Sequence, residues 1–251
     1  MNPKYFWDKT CSFLCNIDTK VVLIIIFTSL LFLFNLGKRD LWAPDEPRYA
    51  QVSKEMWDSK DFILPHLNNE KYPDKPPVLF WLIILFSVPF GEITELSARL
   101  PSALAGIGCA LTTYYFGKRL FSNRVGFIAA LVLSTSIEYI TTARRVSFDG
   151  LLTFLITLSL FCFHTGYTRK DGKWEFFLLS YLLMAIATIT KGPVGFAIPI
   201  LVISTFLCIV KSGKCKSEFR VRDMHIGLGA IIVFSIPLLW VYGIYIQGGW
   251  E

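Results

Sequence analysis

The 251 residues are 53% hydrophobic and only 18% charged, with a mean hydropathy of +0.50. Apolar runs recur along the chain, which excludes a soluble domain built on one core and predicts an all-α polytopic membrane protein. In a soluble protein the net charge of +6 would suggest nucleic acid; here its placement along the chain reports topology, and no nucleic-acid partner is expected.

The first apolar run, "KVVLIIIFTSLLFLFNL" at 20–36, follows a mixed polar segment and has no small-residue cleavage site, so it is expected to remain as the first span. Cys11 and Cys15 precede it with three residues between them and no histidine at zinc-finger spacing, so neither is expected to hold a metal or a disulfide. Cys109, Cys162 and Cys208 fall inside apolar runs, where cysteine behaves as a small hydrophobe. Residues 37–98 form an outer loop with interfacial helices. Within it, "PVLFWLIILFSVPF" offers 14 residues, about 21 Å of helix against about 30 Å of hydrocarbon, and its prolines and aromatics suit an interfacial or re-entrant helix. Runs at about 100–117, 125–141, 150–167, 174–190, 193–210 and 225–246 then supply six further spans within 99–246, seven in all.

Basic residues orient these spans. The N-terminus and the loops "GKRLFSNR", "YTRKDGKW" and "KSGKCKSEFRVRD" carry 14 of the 25 Lys and Arg, and short basic loops stay on the cytoplasmic side. Seven spans put all four stretches inside and Glu251 outside. The outer side then receives "PDEPRYA", "YPDKPP", "ARRVSFDG" and "TKGPVG", four stretches with chemical character that the topology was not chosen to collect.

Each of the four has a bland and a functional reading. Asp45 and Glu46 after Pro44 suit the first turn of a helix, where carboxylates complement the dipole; a carboxylate fixed there is also well placed as a base or metal ligand. Asp74 and Lys75 precede a double proline, either as an ionic turn entering the membrane or as a lysine presented to an anionic headgroup. Asp149 follows Arg144 and Arg145, whose outer position runs against the positive-inside trend and fits phosphate recognition by guanidinium. In "TKGPVG" a helical hairpin explains Gly192 and Pro193 but not Lys191, which fits a phosphate ligand. His66, His164 and His225 are too dispersed for a metal site, and the chain has no Ser/His/Asp signature, P-loop or Rossmann fingerprint.

In order, "LWAPDEPRYA", "YPDKPPVLFWL", "ARLPSAL", Asp149 and "TKGPVG" resemble the polyprenyl-phosphate-dependent glycosyltransferases that include the lipid A aminoarabinose transferases and the protein O-mannosyltransferases, with the aminoarabinose branch favoured. The resemblance covers about 30–205. It implies a GT-C-type module and an inverting transfer of aminoarabinose-like sugar, mannose or another hexose or pentose. The donor would be a polyprenyl phosphate and the acceptor a lipid A, glycan or protein, on the outer face of the cytoplasmic (inner) membrane. It assigns catalysis to Asp45 and Asp149, and the donor phosphate to Lys75, Lys191 and Arg48, to which Arg144 and Arg145 are added. Glu46 and Tyr49 support, with Glu46 expected to point elsewhere on the helix and to matter less than Asp45. Asp74 takes the place of an acidic residue that can ligate a divalent metal; no other cofactor is implied. A transporter for an anionic lipid, or an inactive lipid-binding remnant, is the alternative. Family members are about twice as long, which leaves open a fragment, a truncated product or one half of a split enzyme whose second polypeptide supplies the rest.

Overall fold

The computed structural model describes residues 18–169, 173–212 and 224–247; Cys11, Cys15, half of the 14 inner-side lysines and arginines, and Glu251 lie outside the described residues. The elements in order are α1 (Thr19–Leu33), α2 (Asp45–Ser59), a two-stranded hairpin β1 (His66–Leu67) and β2 (Glu70–Lys71), and α3 (Val78–Ser87) with a short 3-10 turn after it. Then come α4 (Glu95–Leu120), α5 (Asn123–Thr135), α6 (Ile137–Ala143), α7 (Phe148–Thr168), α8 (Lys173–Lys191), α9 (Val194–Ser212) and α10 (Ile226–Ile246).

Among the described residues three helices, α7, α8 and α10, are long and apolar enough to cross a membrane, and α5 with α6 would make a fourth as a broken span. The alternation of ends is legible in the contacts. Asp18 before α1 meets Lys118 at the end of α4 and Arg119 meets Thr168 at the end of α7, whereas Arg144 after α6 meets the far end of α1 and Lys191 meets Asp149. α3 has ten residues, too few to cross at about 1.5 Å each, and buries Leu79, Phe80 and Ile83 completely. The expected short helix is present and is packed into the protein.

Two boundaries differ from expectation. α4 begins at Glu95, not after 98, because Thr94 and Ser97 form a reciprocal capping box that starts the helix a turn early. The run 125–141 is not one helix. Ser136 is extended (φ −64°, ψ 127°) and α6 turns away from α5 by 72°. The break falls in "STSIE", where Ser134 and Thr135 bond back to carbonyls one turn earlier, a pairing that competes with and bends a helix.

Packing joins the outer loop to the bundle. Tyr49, Val52 and Met56 of α2 share one core with Phe80 and Ile83 of α3, Ala98 of α4, Leu151 and Leu155 of α7 and Ala187 of α8. At the other end α4 and α5 approach so closely that a Cβ on Gly126 would lie 2.4 Å from the Tyr114 carbonyl oxygen, which only glycine permits.

Candidate active site

The site grows from the start of α2. Asp45 and Glu46 open this helix, as Pro44 and the dipole predict, but their environments diverge completely. Glu46 is 2% exposed. Its Oε1 accepts from Arg99 Nε (3.0 Å) and the Val146 backbone N–H (2.9 Å); its Oε2 accepts from Arg99 Nη2 and the Trp42 backbone N–H, both at 2.7 Å. Arg99, fully buried at the first turns of α4, spends its remaining hydrogens on the carbonyls of Leu36, Arg39 and Asp40. Burial alone would raise the Glu46 pKa. The hydrogen bonds from Arg99, Trp42 and Val146 outweigh it and hold the carboxyl below its usual value.

This pair ties three segments together: the chain entering α2, the start of α4, and the link between α6 and α7. Asp45 is one residue from Glu46, and Asp149 is three residues from Val146, so the buried pair sets how the two exposed carboxylates stand toward each other. Glu46 is therefore far from a minor neighbour of Asp45. It is expected to matter less than Asp45 for transfer, but it matters for the frame, because a buried charge with five donors, the fifth being Arg39 Nη2 at 3.5 Å, is expensive to disturb.

Asp45 remains open, with its side chain 59% exposed and one ionic partner, Arg48 at 3.6 Å. Arg48 also neighbours the Tyr72 hydroxyl, whose electrostatic surroundings include Asp74 and Asp45. Lys75, next to Asp74 in the chain, is half-buried and has no hydrogen-bond or ionic partner among the described residues. Asp149 is in direct contact with Lys191 at the end of α8, where Gly192 in the left-handed region (φ 78°) turns the chain into α9. Asp45 and Asp149 line one cleft of about 300 Å³ with Trp42, Glu138 and Arg145.

Tyr49 sits between these groups. Burial first, and then the Asp45 charge, push its pKa up to about 12, so it stays a neutral phenol. Its ring packs edge-on against Phe148 at 5.0 Å and near Phe80, which braces α2 against α7 and α3.

Two expected site residues are placed otherwise. Arg144 does not line the cleft: its guanidinium donates to the carbonyls of Leu31 and Phe34 and so satisfies the open C-terminal end of α1. Asp74 is exposed, and among the described residues no three His, Cys, Asp or Glu side chains are grouped to hold a metal. Arg99 was missed in the sequence, where "ARLPSAL" shows an arginine inside a start-of-span pattern but nothing of its partner 53 residues away.

Residues 74–240 match the family model for dolichyl-phosphate-mannose-protein mannosyltransferases. An uncharacterized protein of Aquifex aeolicus is 35% identical over 222 residues, which cover 88% of this chain and 43% of that protein. An undecaprenyl phosphate-alpha-4-amino-4-deoxy-L-arabinose arabinosyl transferase of Shewanella sediminis is 30% identical over 188 residues, 74% of this chain and 34% of the relative. The crystal structure of ArnT from Cupriavidus metallidurans bound to undecaprenyl phosphate superposes with a TM-score of 0.80 at 27% identity, over 90% of this chain and 41% of that one. The chain thus spans less than half the length of each of these relatives. With a match over two thirds of its residues and this fold, the chain belongs to the dolichyl-phosphate-mannose-protein mannosyltransferase family of GT-C glycosyltransferases, in company with the aminoarabinose transferases.

Proposed function

We propose that the chain is the donor-handling module of a membrane glycosyltransferase that moves a sugar from a polyprenyl phosphate to a lipid, glycan or protein acceptor. The observation that carries this reading is the convergence of Asp45 and Asp149 on one cleft, each with a cation beside it, in a chain of this family. The sugar, whether aminoarabinose-like or a hexose, is part of the proposal and not of the family match.

In this reading Lys75, Lys191 and Arg48 hold the donor phosphate. A lysine left without a partner suits an anion, and an arginine can bind two phosphate oxygens at once. The acceptor oxygen attacks the anomeric carbon, the bond from that carbon to the phosphate oxygen breaks, and polyprenyl phosphate leaves with the electron pair. A single displacement inverts the configuration. Asp45 takes the proton of a hydroxyl acceptor; an anionic phosphate acceptor brings none, and Asp45 then steadies positive charge at the anomeric carbon. Lys191 offsets the charge of Asp149 until the donor phosphate competes for it.

Seven membrane passes belong to the same proposal, with the site facing the periplasm or exterior of the inner membrane. The alternating helix ends and the basic inner loops support it. Transport of an anionic lipid is the weaker reading, since among the described residues the buried charges are Glu46 and Arg99, which neutralise each other beside the outer loop. The test is incubation of the purified protein with a panel of polyprenyl-phosphate-linked sugars and acceptors. Acceptor-dependent release of polyprenyl phosphate is expected. Movement of intact donor across a vesicle bilayer without release would overturn the reading in favour of transport.

A further inference from the structure

α7 runs from the cleft to the opposite end of the bundle. Asp149 stands at its start and Thr168 at its last position, about 30 Å apart at about 1.5 Å per residue. At that far end Phe161, His164 and Thr168 recur at i, i+3 and i+7, which sets them on one stripe of the helix. The stripe faces α4, where Phe116 and Arg119 stand three residues apart. The two helices meet there as a ladder. Phe116 packs edge-on against Phe161 with ring centroids 5.7 Å apart, and its ring lies 5.5 Å from that of His164. At the rim Arg119 donates from Nε and Nη2 to the Thr168 hydroxyl, at 3.1 and 2.6 Å, and that hydroxyl donates to the His164 carbonyl at 2.9 Å.

The ladder lacks an anion. Both hydrogen bonds of Arg119 go to one neutral oxygen, and among the described residues its exposed guanidinium meets no carboxylate. The two rings and the imidazole are only half-buried, so the seam keeps an open side. Nearby cations are no better matched. Arg169 lies over the Phe176 ring at 4.8 Å, and exposed Arg124 has no ionic partner among the described residues. The described carboxylates of this end are Asp18, already paired with Lys118, and Glu175 on the first turn of α8. The contrast with the other end of α4 is direct. There Arg99 has the Glu46 carboxylate; here Arg119 has a hydroxyl and an uncompensated charge.

We propose that the α4–α7 seam binds an anionic glycerophospholipid, with an acyl chain against Phe116 and Phe161 and the phosphodiester on Arg119. Rings below and a guanidinium at the rim repeat the order of chain and headgroup in such a lipid, and guanidinium can bind two phosphate oxygens at once. The unbalanced positive charge favours an anionic headgroup over a zwitterionic one. The bound phosphate would supply at this end the anion that Glu46 supplies at the other, tying α4 to α7 far from the cleft. Placing the lipid in the inner leaflet rests on the proposed orientation; the binding itself rests on neither orientation nor turnover.

The experiment is native mass spectrometry of the purified protein in detergent, titrated with phosphatidylglycerol or with phosphatidylcholine of the same acyl chains. The wild type should retain phosphatidylglycerol at about tenfold lower lipid concentration. Arg119→Gln should weaken phosphatidylglycerol binding by about tenfold or more, the loss expected for a hydrogen bond to a charged group. Thr168→Val keeps the charge but frees the guanidinium from its anchor, and should weaken binding in the same direction. Arg124→Gln removes an exposed cation from the same end but outside the seam, and should stay within about twofold of the wild type. Equal retention of the two lipids by the wild type would overturn the site. So would equal losses in Arg119→Gln and Arg124→Gln, which mark diffuse charge alone, or unchanged binding in Thr168→Val. Displacement of phosphatidylglycerol by matched inorganic phosphate would show a free-anion site, and displacement by undecaprenyl phosphate would show the donor site; either would overturn the proposal.

Discussion

Asp45 and Glu46 are chemically similar neighbours in one helical turn, yet one is 59% exposed at its side chain with a single cation at 3.6 Å and the other is buried under five donors. The difference teaches that the outer loop has two layers. Beneath is a closed ionic node, Glu46 with Arg99, that fastens α2, α4 and the α6–α7 link. Above is an open layer of solvent-facing charges, in which Asp45 pairs with Arg48, Asp149 pairs with Lys191, and Lys75 has no ionic partner among the described residues. A site of the proposed kind needs both, because open charges work only when something rigid holds them in place.

The largest effect comes from breaking the lower layer. Glu46→Leu leaves the Arg99 guanidinium buried and without its carboxylate, which should cost about 3–5 kcal/mol of stability, measured by thermal unfolding in detergent. A loss under about 1 kcal/mol would mean that the node is ornamental. The upper layer should respond differently. Lys75→Ala or Lys191→Ala should leave unfolding nearly unchanged and weaken undecaprenyl phosphate binding by about 1.5–3 kcal/mol. Equal affinity in both variants would remove the donor phosphate from this face.

Acid sharpens the contrast. The Glu46 pKa is depressed below the ordinary 4.5, so its contribution to stability is present above that value and is lost as pH falls through the folded-state pKa. Wild-type stability should therefore decline below about pH 4.5, and Glu46→Gln should lack this part of the decline. Parallel curves would contradict the node's linkage. The smallest effect belongs to Arg144, which caps α1 at a partly exposed position; Arg144→Ala should cost about 0.3–1 kcal/mol and leave undecaprenyl phosphate binding alone.

Local signals made much of this legible. Pro44 and the two acids mark the start of α2, and Gly192-Pro193 marks the end of α8 directly after Lys191. The length of 77–90 alone shows that α3 cannot cross. Asn68 and Asn69, both in the left-handed region (φ 56° and 64°), make the tight hairpin turn; that signal was present and went unread because two-residue strands leave no alternation. The rest is long-range. Glu46 finds Arg99 53 residues away, and Arg144 finds the α1 carbonyls about 110 residues away; a one-dimensional pattern carries neither. The break at Ser136 was visible as three successive hydroxyl residues, but the apolar residues on either side read as one run.

The central claim is that two adjacent carboxylates divide the work, Asp45 serving the chemistry and Glu46 the frame. Its most direct test compares Asp45→Asn with Glu46→Gln, scoring melting temperature and acceptor-dependent release of polyprenyl phosphate in the same protein background. Asp45→Asn should melt with the wild type and lose transfer by about 100-fold or more, as expected for a base or charge stabiliser. Glu46→Gln should melt well below the wild type, because either amide orientation turns an NH2 toward N–H donors that now bond an oxygen. Wild-type turnover by Asp45→Asn, or a Glu46→Gln protein as stable as the wild type, would contradict the division.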